Sequence, residues 1–178
     1  MTILKTERLK LRPVVKRDLD DVYKWAKNPN VGPKAGWKPH ESKGESREII
    51  NALFLGKETV WAITLTDDDM LRGVIGLEND PKRTNPYARM LGYWLNEDDW
   101  GKGYMTEAAE EVLRYGFNEL DIPIITSNCY DFNDASRNVI EKIGMIYEGT
   151  LRESDERFDK KIFDLRLYSL KKEEYMNR

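Results

Sequence analysis

One histidine and one cysteine, His40 and Cys129, occur in 178 residues. The lone thiol excludes an internal disulfide and points to a reducing compartment, the cytoplasm. Two such side chains cannot supply a structural zinc site. His40 lies beside Pro39 in a polar loop, where an exposed residue without a role is expected. No apolar run approaches the ~20 residues of a membrane span. The opening MTILKTERLKLRP lacks the continuous apolar core of a secretory signal. Positive charge is not in excess, because 29 Lys and Arg stand against 32 Asp and Glu, a net charge of −3. A nucleic-acid platform needs a basic face, so neither nucleic acid nor membrane is an expected partner. An acidic balance suits a cationic partner such as an amine.

Repeats and low-complexity linkers are also missing, and the length suits a single domain over residues 1–178. Residues 8–13 alternate apolar and polar as a half-buried strand does. Helical spacing predicts helices over 17–27 and 46–56, separated by a Pro- and Gly-containing loop, 28–43, that carries Trp37. Three strand-like segments follow, at 59–65, 71–78 and 88–95, with connections too short for parallel crossovers. The clearest helix comes next. Met105, Ala108, Ala109, Val112, Leu113, Gly116, Phe117 and Leu120 share one face, and Glu107, Glu110, Glu111, Arg114 and Asn118 share the other. IPIITSNCY reads as a buried strand, DASRNVIEKIG as a short helix closed by Gly144, and two strands complete the chain. The order β-α-α-β-β-β-α-β-α-β-β implies an α/β (α+β) fold with a mixed, mostly antiparallel sheet.

The stretch WGKGYMT, residues 100–106, joins the third of those strands to the strong helix. A helix N-terminus offers unpaired N–H groups and a partial positive charge, so it can receive an anion. Glycines let a ligand approach the backbone closely. A phosphate or pyrophosphate cradle is therefore one reading, and a plain strand-to-helix turn is the other. The mononucleotide pattern G-x-x-x-x-G-K-S/T fails, since Asn96 occupies the first Gly position and Gly103 the hydroxyl position. The dinucleotide pattern G-x-G-x-x-G matches at Gly101 and Gly103 and fails at Thr106. That loop also belongs after the first strand of a parallel array, not after three hairpin-spaced strands.

With its flanks, the turn resembles the Gcn5-related N-acetyltransferase (GNAT) superfamily, whose acetyl-CoA loop reads Gln/Arg-x-x-Gly-x-Gly/Ala after the fourth strand. Here that pattern falls on Trp100-Gly101-Lys102-Gly103-Tyr104-Met105. TERLKLRP, LGYWL, WGKGYMTEA, NDASRNVIEKIGM and YEGTLR, in this order, are similar to the ribosomal-protein N-acetyltransferase branch over residues 6–170. The resemblance implies a sheet of six to seven strands flanked by about four helices. It further implies acetyl-CoA as cosubstrate and an amine acceptor, either a protein N-terminal α-amine or a small amine such as a polyamine or antibiotic. A CoA-binding module without turnover and a homodimer remain open. Trp100 and Met105 depart from the pattern yet leave the backbone donors in place. Ile140 stands where many members carry a tyrosine that protonates the departing thiolate.

By the same resemblance, backbone groups of Leu95 and Asn96 hold the pantetheine arm and the thioester carbonyl. Backbone donors of Gly101, Lys102, Gly103, Tyr104, Met105 and Thr106 take the pyrophosphate, with the Thr106 hydroxyl beside them. Lys102 and Arg137 meet outer phosphates, or are solvated cations. Asn133 and Ser136 face the pantetheine chain and the sulfur, a role that can coexist with helix capping. For the general base the candidates are Glu148, in a strand, Asp155, in the loop after it, and Glu78. For the acid they are Cys129 and Ser136. Structural hydrogen bonding for Glu148, solvation for Asp155 and plain core for Cys129 are the competing roles. Tyr93 and Trp94 point to opposite faces of one strand, and Trp37 either roofs the amine site or covers core.

Overall fold

The computed structural model describes residues 2–178. Alternating burial in Leu9–Pro13 forms a strand (β2), which pairs with the two-residue β1, Leu4–Lys5. A single 3₁₀ turn, Lys16–Asp18, leads into α1, Leu19–Ala26. Helix α2 spans Lys43–Ile49, three residues ahead of its expected start, because Ser42 caps it by accepting the Glu45 N–H at 3.2 Å. It runs on as a π-helical turn, Ile50–Phe54. Strands β3, Val60–Leu65, β4, Gly73–Asn79, and β5, Ala88–Leu95, form an antiparallel meander. After them come α3, Tyr104–Asn118, β6, Ile124–Tyr130, and α4, Asp134–Lys142. Strands β7, Ile146–Glu156, and β8, Ile162–Lys171, precede the five-residue α5, Lys172–Met176.

The eight strands lie in the order β1-β2-β3-β4-β5-β6-β8-β7, antiparallel except between β5 and β6. The count exceeds the expected six to seven strands and four helices by β1 and α5, both too short to leave a periodic signal. Leu120 also departs from expectation: it lies beyond the end of α3 and is exposed.

Two apolar clusters sit on opposite faces of the sheet. On one face, Ala108, Ala109, Val112, Leu113 and Phe117 of α3 pack onto Trp61, Ile63, Ile75, Leu77 and Leu91. On the other, Val22, Trp25 and Ala26 of α1 pack with Ile50 onto Val60, Ala62, Val74 and Trp94. Each fully buried large side chain contributes roughly 1.5–3 kcal/mol. α1 is anchored by a buried ion pair, Arg12 to Asp18 at 2.8 Å, and Arg12 also donates to Asp69 at 3.0 Å. Among the described residues no helix is long and apolar enough to cross a membrane.

One irregularity positions everything that follows. β5 and β6 pair only through Ala88–Met90 and residues 124–126, and then diverge. Beyond that point β5 runs on to Leu95 and β6 to Tyr130, leaving a gap in the sheet.

Candidate active site

A cavity of about 800 Å³ fills the gap between the diverging ends of β5 and β6. One end is closed by the turn after β5. Asn96, fully buried, accepts the Asp99 N–H at 2.9 Å and donates through Nδ2 to Asp99 Oδ2 at 2.8 Å. Asp99 also receives Arg72 at 3.0 Å and Lys102 at 2.8 Å. Burial pushes the Asp99 carboxyl up, but the hydrogen bonds from Lys102, Asn96 and Arg72 outweigh it and hold it below the ordinary carboxylate range. The Trp100 indole donates to Leu95 O at 2.9 Å. From the other side Arg8 donates to Lys102 O at 3.0 Å.

This frame holds Gly101 and Gly103 in the left-handed region, with φ of 76° and 82°. Other residues reach that conformation only at a cost of roughly 1–2 kcal/mol. A Cβ on Gly101 would meet nothing within 4 Å, so open space stands over the turn. The first N–H of α3 to reach back is that of Glu107, to Gly103 O at 3.0 Å. The amides ahead of it have no helical carbonyl to receive them. Bare amides at a positive helix end, beneath open space, suit a diphosphate.

Eleven of the residues expected from sequence line this one cavity: Leu95, Trp100, Gly101, Gly103, Tyr104, Met105, Thr106, Cys129, Asn133, Ser136 and Asp155. Four do not. Asn96 spends its N–H on Arg72 O at 2.8 Å and its side chain on Asp99. Strand alternation therefore turns the N–H groups of Leu95 and Tyr93 the other way, into the gap. The Lys102 ammonium is drawn onto Asp99, and Arg137 pairs with Asp134 at 2.8 Å. Glu148 sits in a β-bulge of β7, where it accepts from Ser169 Oγ at 2.7 Å and pairs with Arg83. It lines neither this cavity nor the smaller one on the other face of the sheet, and both its oxygens are engaged.

Asp155 corrects the reading in a different way. It lies in β7 rather than in a loop, opposite Phe163, because a second bulge follows Leu151. That bulge takes Glu153 to a φ of 49° and turns Asp155 to accept from the Tyr130 hydroxyl at 2.5 Å. His40 is buried rather than exposed, with Nδ1 2.8 Å from Ser46 Oγ. Burial lowers its pKa, so the ring is neutral at pH 7.

The fold also adds contacts around the gap that the sequence did not show. Asn133 accepts the Ser136 N–H as the cap of α4, at 3.2 Å, and its Nδ2 donates to Lys34 O at 3.0 Å. That bond latches the loop between α1 and α2 over the cavity. A second latch runs from Arg157 to Pro33 O at 3.0 Å. The Tyr93 hydroxyl lies 3.0 Å from Ser136 Oγ, and burial raises its pKa above the ordinary tyrosine value. Burial likewise pushes the Cys129 thiol up to about 11. Ile140, where a family tyrosine would stand, is fully buried core. Alternation in LGYWL could have placed Tyr93 on this face, but only the fold brings it to Ser136.

Comparison with known proteins agrees with this geometry. A profile described as an acetyltransferase (GNAT) domain matches residues 8–146. The N-acetyltransferase p20 of Bacillus licheniformis is 30% identical, over 98% of this chain and 99% of its own. YdaF of Bacillus subtilis, provisionally named a ribosomal N-acetyltransferase, is 35% identical over 48% of this chain and 46% of its own. A crystal structure of a GNAT-family acetyltransferase from Bacillus anthracis superposes with a TM-score of 0.86 at 26% identity, covering 97% of this chain and 99% of that one. A split sheet, a glycine turn of bare amides and a profile match over most of the chain converge, and the chain belongs to the GNAT family of N-acetyltransferases.

Proposed function

We propose that this protein transfers the acetyl group of acetyl-CoA to a primary amine by direct attack in a ternary complex. The observation that carries the reading is the gap between β5 and β6, with bare helix amides at one end and free strand N–H groups along its side. Acetyl-CoA supplies the acetyl group as a thioester, and the products are the N-acetylated amine and the free thiol. The amides of residues 101–106 hold the diphosphate, and the Leu95 N–H polarises the thioester carbonyl, where negative charge develops as nitrogen attacks.

Cys129 is poorly suited to carry the acetyl group. A thiol pushed up to about 11 by burial stays protonated at neutral pH. Tyr93 and Ser136 together present hydroxyls to the departing sulfur. Both remain protonated, so they can donate hydrogen bonds to a thiolate as the C–S bond breaks and nitrogen gives up its proton.

The ribosomal-protein resemblance supports a protein α-amine as acceptor, whereas a second cavity of about 270 Å³, which shares Trp37, Tyr93 and Trp94 with the first, supports a small amine. Steady-state kinetics with both substrates varied test the central reading. Intersecting double-reciprocal lines are expected, and parallel lines would show a covalent acetyl-enzyme instead.

A further inference from the structure

A second cavity, of about 270 Å³, lies on the α1 and α2 side of the sheet. It meets the first along Trp37, Met90, Gly92, Tyr93 and Trp94, which line both. An amine held there would face a thioester in the gap. The size is just below the range of about 300–1,000 Å³ usual for small-molecule sites.

The floor is bare sheet. Gly76 and Gly92 lie directly opposite each other across β4 and β5. Packing explains the first, since a Cβ at Gly76 would come within 2.9 Å of Val60 Cγ2. It does not explain the second, because a Cβ at Gly92 would meet nothing within 4 Å. Gly92 therefore leaves room that the protein itself does not fill. Trp37 and Trp94, whose rings meet edge to face at 6.0 Å, wall one side, and Leu53 and Phe54 of the π-helical turn wall another. π-turns of this kind recur at functional sites.

Charge in this cavity is sparse. Glu78, opposite Met90 in the β4–β5 register, is the only carboxylate in its lining. It is exposed, and among the described residues no hydrogen bond or ion pair engages it. The carboxylates of the neighbouring cavity are already engaged, Asp99 by Arg72 and Lys102 and Asp155 by Tyr130. Lys34, Lys82 and Lys142 line that neighbouring cavity and would repel a second cationic centre. A polyamine therefore finds one partner for its several charges. A peptide fares no better, because each backbone polar group desolvated without a partner costs about 1–3 kcal/mol. The latches from Asn133 and Arg157 also hold the roof loop down.

Resting on the acetyl-transfer reading, we infer that the acceptor is a compact primary amine with a single cationic centre and an apolar or aromatic body. The body lies on the Gly76–Gly92 floor against Trp37 and Trp94. The ammonium is drawn by Glu78, which takes its proton, directly or through water, before nitrogen attacks the carbonyl carbon. The C–S bond then breaks, and the thiolate leaves as free thiol with the proton nitrogen sheds.

The test uses the full chain with acetyl-CoA and reads thiol release with 2-phenylethylamine, spermidine and a hexapeptide with a free N-terminus. The kcat/KM for 2-phenylethylamine is expected to exceed the other two by about a hundredfold. Gly92→Leu, which fills the floor, should raise the KM for that amine by about tenfold or more, a larger rise than in the KM for acetyl-CoA. Gly92→Ala should give a smaller change of the same kind. A faster reaction with spermidine or the peptide overturns the inference and leaves the acetyl-transfer reading standing. Thermal stabilisation by CoA without thiol release from any acceptor overturns both, and no stabilisation by CoA removes the binding site itself.

Discussion

The two faces of the sheet build their candidate sites in different ways. On the α3 face the site is mostly backbone: amides of a glycine turn and N–H groups along a strand that has lost its neighbour. Of its side chains, Asn96 and Asp99 are buried and brace the turn, and Lys102 reaches Asp99 from the surface. On the α1 and α2 face the site is mostly side chain: two tryptophans, the π-helical turn and one carboxylate around a floor of two glycines. Backbone can recognise a constant group such as a diphosphate in any member of the family. The side chains around the smaller cavity can vary without disturbing the turn, which suits them to selecting the acceptor in the reading proposed above.

The comparison breaks most readily at Arg12. Truncating it leaves Asp18 buried without its partner, so Arg12→Ala should cost about 3–5 kcal/mol by urea denaturation. A cost below about 1 kcal/mol would mean that the α1 face is not anchored there. Tyr93→Phe tests the chemistry between the faces. A fall in kcat of about a hundredfold is expected if its hydroxyl serves the leaving sulfur, against little change if Ser136 suffices alone.

Gly103→Val strikes the backbone site. Its left-handed φ should cost about 1–2 kcal/mol of stability and the affinity for CoA should fall by more than tenfold, measured by calorimetry. Asn133→Ala should cost about 1 kcal/mol as a lost cap. Asn133→Ser should restore the cap without the reach to Lys34 O, so a raised amine KM that persists in the Ser variant separates latch from cap.

The finest distinction is a slope with pH. The Asp99 carboxyl is held below its unfolded value by Lys102, Asn96 and Arg72 against the opposing effect of burial. Its contribution is therefore present above the unfolded pKa of about 3.9 and is lost as pH falls through the lower folded value. Melting curves of Asp99→Asn and the unaltered protein should converge as pH is taken down through that window. Parallel curves would mean that Asp99 does not hold the turn.

Legibility in the sequence divided along the same line. The amphipathic face of α3, the glycine pair and the N-x-x-S cap of α4 are local patterns, and each formed where its spacing put it. Where the Glu148 and Asp155 carboxylates point, and that Asp155 lies in β7 rather than in a loop, was not legible because two β-bulges decide it, and a bulge leaves no periodic trace. His40 was misjudged because its burial comes from contacts with two helices, its N–H on Ala26 O at 3.0 Å and its ring on Ser46, which its polar neighbours in sequence do not show.

The sequence by itself determined the order of the longer elements, the apolar faces and the glycine turn, since each depends on residues within a few positions of one another. The tertiary structure alone decided the rest: the parting of β5 from β6, the approach of Tyr93 to Ser136, and the pocket that pairs Glu78 with a bare glycine floor. Those contacts join residues tens of positions apart, and their geometry is set by sheet register and loop closure, which no local pattern encodes.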